Sequence, residues 1–353
     1  MAEVVFGPGA AFCRLLASVM RDLAHEVNFE IDAAGGVRLV GVDYHQVCCS
    51  IASIPASACL SIHATGGREE GSVVRFTCRS SRLRKLTKCA RSTGRMKEVV
   101  CLVYSTTADL QFKLGEPAEL RAASPDPQED SDGVEGTQDD DGDDGEDDSD
   151  AACGAGGWLV QVRVLRHGAH LNPLTAQLEQ IARAFAEAGS GSPSAADEQP
   201  FARVSLPSAE LHRIGTSLAL TADEFVELRA CELAFQVRSR GPSLGCAALT
   251  VVAHEDSVSP QDSVSIRMPP RSLASSDPVV GQSVYLRYFV VAARACAVAE
   301  RVDVLIAYDD SLSPLGRVLG LLYRSQGSAQ APYVLYVLAA RPTDGAQPCR
   351  LPG

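Results

Sequence analysis

The chain has 353 residues, 46% hydrophobic and 22% charged, enough to bury two ordinary cores. No apolar run reaches the length of a membrane span, and no basic segment followed by an uninterrupted apolar stretch opens the chain, so it reads as a soluble intracellular protein. The formal charge is −12, but 14 of the 44 acidic residues lie in 126–150, a segment without Lys or Arg, and the rest holds 30 acidic against 32 basic residues. Such a near-neutral body argues against tight base-specific DNA binding and suits loose phosphate contact through local basic faces.

The first predicted helix carries Phe12, Leu15, Leu16, Val19 and Leu23 on an apolar stripe, with Arg14 and Arg21 seven residues apart on another side. Period-two alternation then predicts strands over Phe29–Asp32, Val37–Val42, Val47–Ile54 and Ser72–Thr77. A second helix spans Arg79 to Arg91, where Leu83, Leu86 and Ala90 share a stripe and Arg84, Lys85, Lys88 and Arg91 crowd the remaining surface. Strands over Glu98–Tyr104, Asp109–Leu114 and Trp158–Leu165 close the first half. They are interrupted by residues 116–157, rich in Asp, Gly, Ser and Pro, which are expected to be disordered. In the connector, Leu174, Leu178, Ile181 and Phe185 have helical spacing, and 189–199 reads as a flexible segment.

The pattern then recurs. A strand over Phe201–Leu206 leads to a third helix with Ser208 as N-cap, Leu211, Ile214 and Leu218 facing inwards, and His212 and Arg213 beside them. Strands follow over Phe225–Ala230, Leu233–Ser239, Cys246–Val252 and Ser263–Met268. A fourth helix after Ser283 has Leu286, Phe289 and Ala293 apolar and Arg287 and Arg294 seven apart. Val302–Tyr308, Gly316–Tyr323 and Tyr333–Ala339 complete the set. The order is that of a duplicated α+β unit, aligned at the helix-to-strand step as residues 28–31 against 224–227.

No catalytic constellation stands out, so the chain reads as no enzyme, with no cofactor and no metal. There is no phosphate-binding Gly-x-x-x-x-Gly-Lys-Ser/Thr loop, and Gly7-Pro8-Gly9 lacks the context of a dinucleotide fingerprint. His167-x-x-His170 has no further ligand at a suitable spacing, and Asp309-Asp310 would only condense cations. The twelve cysteines include no Cys-x-x-Cys pair and read as small buried apolar groups.

Several short stretches carry a resemblance. Arg21-Asp22-Leu23, Asn28-Phe29-Glu30-Ile31, Gly36-Val37-Arg38-Leu39 with Val42-Asp43, Leu86-Thr87-Lys88-Cys89-Ala90 and Leu286-Arg287-Tyr288-Phe289 resemble, in order and spacing, the proliferating cell nuclear antigen (PCNA) family of DNA sliding clamps. The likeness spans most of the chain outside 116–157 and 166–199. The acidic insert, the long connector and the tail Arg341–Gly353, which stands where the family has an acidic extension, depart from it. So does Thr216, where the family often has a basic residue.

The resemblance implies an α+β clamp (processivity) fold of two similar domains, each with two helices and antiparallel sheets, at 1–165 and 200–341, with a connector at 166–199 and a tail at 342–353. It implies a homotrimeric ring, helices lining the hole, that encircles duplex DNA in the nucleus as a processivity factor. Arg14, Arg21, Lys85, Lys88, Arg213 and Arg294 fall where the family places DNA-facing basic residues, and the basic helix faces add Arg84, Arg91 and Arg287. The implied partners are DNA polymerase and other proteins with short clamp-binding peptides, a clamp loader and further copies of the chain, but no membrane. Val42, Val47, Pro314, Val337 and Ala339, with Leu171 or Leu174, match the peptide groove; without the resemblance such residues would read as core. Trp158, Val160 and Val162 would form one subunit edge and Cys246, Ala248 and Thr250 the other. Two other classes share the fold: a subunit of a heterotrimeric checkpoint clamp signalling DNA damage, and a monomeric polymerase accessory factor, which would need a more basic surface.

Overall fold

The computed structural model describes residues 2–6, 9–20, 23–45, 47–64, 73–84, 87, 98–103, 109–115, 151–154, 157–167, 201–220, 224–241, 245–252, 263–268, 280–307, 318–324 and 331–342. In the first half these form β1 (Ala2–Phe6), α1 (Gly9–Met20), β2 (Ala24–Asp32), β3 (Gly36–Asp43), β4 (Cys48–Ile54), β5 (Cys59–Ala64) and β6 (Val74–Arg79). A helical turn at 80–84 leads on to β7 (Glu98–Val103), β8 (Asp109–Gly115), β9 (Ala151–Gly154) and β10 (Gly157–His167). The second half has β11 (Phe201–Pro207), α2 (Ser208–Ala219), β12 (Phe225–Ala230), β13 (Ala234–Gly241), β14 (Gly245–Val252), β15 (Ser265–Arg267) and β16 (Val280–Tyr285). It closes with α3 (Leu286–Ala293), a 3-10 turn (Arg294–Ala297), β17 (Arg301–Ala307), β18 (Val318–Arg324), β19 (Tyr333–Ala339) and β20 (Arg341–Pro342). The architecture is mixed, with few helices on antiparallel sheets.

Pairing repeats strand for strand. β1 pairs β5 and β7, β7 pairs β8, and β8 pairs β10; likewise β11 pairs β15 and β17, β17 pairs β18, and β18 pairs β19. β2 lies between β6 and β3, and β3 pairs β4; likewise β12 lies between β16 and β13, and β13 pairs β14. The end of β10 on β6 has its counterpart in β20 on β16. The alternation that fixes register is clear in β2, which buries Val27, Phe29 and Ile31, and in β12, which buries Val226, Leu228 and Ala230. These triplets correspond, because Ile31 and Ala230 pair with the first residues of β6 and β16. The repeat is therefore offset by three residues from the sequence alignment of 28–31 with 224–227.

One antiparallel pair joins the halves. β19 runs beside β4 with Tyr333 opposite Ser53 and Leu338 opposite Cys48, which makes a continuous sheet across the chain. The last turn of a helix leaves carbonyls without intrahelical donors, and this junction supplies them. The Tyr336 hydroxyl donates to the Ser18 carbonyl at 2.8 Å and the Ser50 hydroxyl to that of Val19 at 2.9 Å, tying α1 to both junction strands. In the second half, the Tyr323 hydroxyl donates to the Ala292 carbonyl of α3 at 2.9 Å. The helices pack on one sheet face with a large shared core. A smaller cluster on the other face contains Val40, Cys49, Ile51, Leu305, Leu335 and Val337.

One glycine is required by geometry, and another sits at a close helix contact. Gly36 has φ +101° and its Cβ would collide with the Ile54 carbonyl oxygen, so it makes the β2–β3 turn possible. A Cβ on Gly215 would lie 3.0 Å from that of Ala293, where α2 and α3 meet.

Some sequence expectations change. α1 is described to Met20, and Leu23 is buried at a bend beyond it. Ser208 is the first helical residue, not the cap: its hydroxyl donates to the carbonyls of Ala299 (2.5 Å) and Cys296 (3.3 Å), pinning α2 to the segment after α3. Ala151–Gly154, placed in the disordered insert by composition, is a strand, because the backbone of β10 offers it a pairing edge. β10 itself continues to His167, two residues past the expected domain limit.

Candidate functional site

Three places come from the expected site residues: the helix surfaces, the β4–β19 junction and the two strands expected at subunit edges. On the helices, Arg14, Arg84, Arg213, Arg287 and Arg294 are all exposed. Arg21, Lys85, Lys88 and Arg91 lie outside the described residues. Arg213 and Arg287 are engaged by neighbours. Arg213 grips Glu210 one turn earlier, Nε to Oε2 at 2.8 Å and Nη2 to Oε1 at 2.5 Å, which holds the Glu210 carboxyl below its ordinary range. Arg287 lies over the Tyr288 ring, 4.5 Å from its centroid, and donates to the Tyr288 hydroxyl at 2.7 Å. A phosphate would compete with Glu210 for Arg213, so bare charge overstates what this helix offers a polyanion.

At the junction, Val42 and Val337 both sit opposite Cys49 in the ladders on either side of β4, and the Ala339 amide donates to the Val47 carbonyl at 2.8 Å. Four expected groove residues thus surround one strand. Val337 is buried, Val42 and Val47 are half-buried and Ala339 is exposed. Val42 packs with the outer apolar cluster, whereas Val47 packs against the main core. Leu171, Leu174 and Pro314 lie outside the described residues.

The loop that carries Val47 is organised by a residue to which the sequence reading gave no role. Buried Asp43 accepts the amides of His45 (3.0 Å), Val47 (2.6 Å) and Cys48 (2.7 Å), and its Oδ2 also accepts the Tyr288 hydroxyl at 2.6 Å. Burial, then the hydrogen bond to Asp43, pushes the Tyr288 phenol up to about 12. A relay from Arg287 through Tyr288 to Asp43 therefore fixes the loop of the first half against α3 of the second. An Asp at the end of a strand before a polar turn is a sequence signal for such capping. Its partner 245 residues away is not.

The two strands expected at subunit edges, β10 and β14, are counterparts of the junction strands. Arg166 and His167 pair with Thr77 and Phe76 as Arg341 and Pro342 pair with Ser283 and Gln282, so 158–163 of β10 correspond to 333–338 of β19. By the same pairing logic, 245–251 of β14 correspond to 48–54 of β4. Trp158, Val160 and Val162 alternate along β10, and Cys246, Ala248 and Thr250 along β14, which ends the five-stranded sheet. Ala248 is exposed and Thr250 half-buried.

Among the described residues no three of His, Cys, Asp and Glu gather closely enough to hold a metal ion, and no helix is long and apolar enough to cross a membrane. Cys13, Cys48, Cys49, Cys78 and Cys101 are buried and unbridged, and burial pushes the Cys78 thiol up to about 12, so it behaves as a small apolar group. The chain matches no known family model and no curated protein.

Proposed function

We propose that this chain is a subunit of a ring-shaped DNA sliding clamp: three copies join head to tail, encircle duplex DNA without reading its sequence, and tether a polymerase and other replication or repair proteins. The observation that carries the reading is the doubled pairing scheme. It has one junction closed within the chain, β4 with β19, and the counterparts of those two strands, β14 and β10, at separate sheet positions. A β14 edge that repeats a strand able to pair with a β19-like neighbour suits addition of the next copy, and closing the circle removes the exposed edge. The resemblance in sequence supplies the number three.

The remaining parts fit the same work. Exposed Arg14, Arg84, Arg213, Arg287 and Arg294 offer weak, replaceable phosphate contacts, which permit sliding where a few strong contacts would arrest it. The half-buried valines and exposed Ala339 at the junction offer an apolar site for a short peptide with aliphatic and aromatic anchors. The chain would act as a scaffold without catalysis, opened onto DNA by a clamp loader in the nucleus. Native mass spectrometry tests the assembly: a species of three times the 37.3 kDa chain is expected at micromolar concentration. A chain that stays monomeric alone but joins two different partners would instead be a checkpoint-clamp subunit.

A further inference from the structure

The edge of β10 is already occupied. β9 runs antiparallel to it with Gly154 opposite Gly157, Cys153 opposite Trp158, Ala152 opposite Leu159 and Ala151 opposite Val160. Trp158 to Arg163 also pair with β8, so β9 covers the opposite side of the strand. In the second half that side of β19 is taken by β4.

The duplication converts this coincidence into a register. Tyr333 faces Ser53 and Leu338 faces Cys48. Carried to the counterpart strands, Trp158 would face Thr250 of a second copy, Val160 would face Ala248, and Val162 would face Cys246. β9 fills positions 157–160, which include 158–160 of that register, so β9 and the incoming β14 need the same backbone donors and acceptors. Positions 161–163 have no β9 partner.

We propose that β9 is an intramolecular cover on the assembly edge, and that a second copy of this chain joins by strand displacement, β14 pairing first at 161–163 and then peeling β9 from 158–160. The proposal rests on the ring reading above and adds how closure is controlled. Two residues, Ala155 and Gly156, separate the paired ends of β9 and β10, so β9 competes at an effective concentration on the order of millimolar. It competes weakly for its tether: it has four residues, Ala-Ala-Cys-Gly, none β-branched or aromatic, whereas β14 brings Ala248, Leu249, Thr250 and Val251 to the same positions. The acidic run ends at Asp150, immediately before β9, so whatever neutralises or holds that run bears directly on the cover.

The test uses the full chain and two variants of opposite sign. Successive amides of a strand point to opposite sides, so the double variant Ala152→Pro/Cys153→Pro places one proline against β10 and abolishes β9 pairing. Ala155→Asn creates Asn-Gly, the sequence favoured in two-residue hairpin turns, and strengthens it. The concentration at which half the chain is assembled should fall by about tenfold or more in the first variant and rise in the second, read by light scattering over a dilution series. Hydrogen exchange at 158–160 in dilute monomer should quicken in the proline variant and slow in Ala155→Asn. If the parent assembles and neither variant moves the midpoint, the cover is overturned while the ring stands. If parent and both variants remain monomeric at every concentration, the ring reading itself fails, and this inference with it.

Discussion

Ile51 and Ala248 occupy the same place in the two halves, yet one is fully buried and the other exposed. Ile51 lies on β4, where β19 has closed beside it; Ala248 lies on β14, which ends its sheet. The same strand thus serves as core where the chain supplies its neighbour and as open edge where it does not. Composition follows that difference: β4 carries two isoleucines, whereas the matching stretch of β14 has Ala248 and Val251 in their places. Among the described residues no strand lies beyond β14, and its smaller side chains are those that a sheet edge tolerates.

The largest expected effect separates these two positions. Ile51→Ala should destabilise the monomer by about 2–5 kcal/mol in urea unfolding, because the junction on both sides limits collapse into the cavity. Ala248→Asp should leave monomer stability within about 0.5 kcal/mol of the parent and abolish assembly, since its place is exposed until a partner arrives. Equal loss of monomer stability in both variants would break the comparison.

Next come the tyrosines that serve helix-end carbonyls in the two halves. Tyr336→Phe and Tyr323→Phe should each lose about 1–3 kcal/mol, measured by the same unfolding, because a buried carbonyl loses the hydroxyl that donates to it. Only Tyr336 crosses the junction, so only its loss should also quicken proteolysis between the halves.

A smaller effect belongs to the relay. The Tyr288 phenol, at about 12 in the folded protein against 10 ordinarily, is neutral and donating at lower pH. Its stabilisation is whole below pH 10 and is lost as pH rises through about 12. Tyr288→Phe should therefore narrow its stability gap from the parent across that window, and should quicken exchange of the Val47 and Cys48 amides at neutral pH. An unchanged gap would mean that Asp43 holds the loop without help.

How far the sequence carried this reading depended on distance along the chain. Val37–Val42 and Tyr333–Ala339 were legible because apolar side chains alternate on a half-buried sheet. β16 was not: Val-Gly-Gln-Ser-Val-Tyr resembles a loop, and only the fold shows that buried Gln282 donates to the Ala307 carbonyl of β17. The exposure of Arg14, Arg84, Arg213, Arg287 and Arg294 follows from their place beside the apolar helix stripes. The salt bridge that holds Arg213 could be guessed from the i, i+3 spacing of Glu210. The β4–β19 junction, the Asp43–Tyr288 bond and the pairing of β9 with β10 were not legible, since each depends on which elements meet.

The smallest effect concerns that salt bridge. Glu210→Gln should release Arg213 to phosphate and steepen the salt dependence of DNA binding by about one counterion. Acid should act likewise in the parent: the pairing is present above the ordinary glutamate range and is lost as pH falls through the lowered Glu210 value. Identical salt slopes would remove Arg213 from the DNA-facing set.

The central claim, that the closed junction is the template for contact between copies, is tested most directly by cross-linking. Val162→Cys places a thiol opposite the native Cys246 of the next copy in the register carried over from β19 and β4. A short bifunctional thiol reagent should then give covalent dimers and closed trimers, and adding Cys246→Ser should abolish both. Cross-links that survive the loss of Cys246, or a chain that stays monomeric under the reagent, would contradict it.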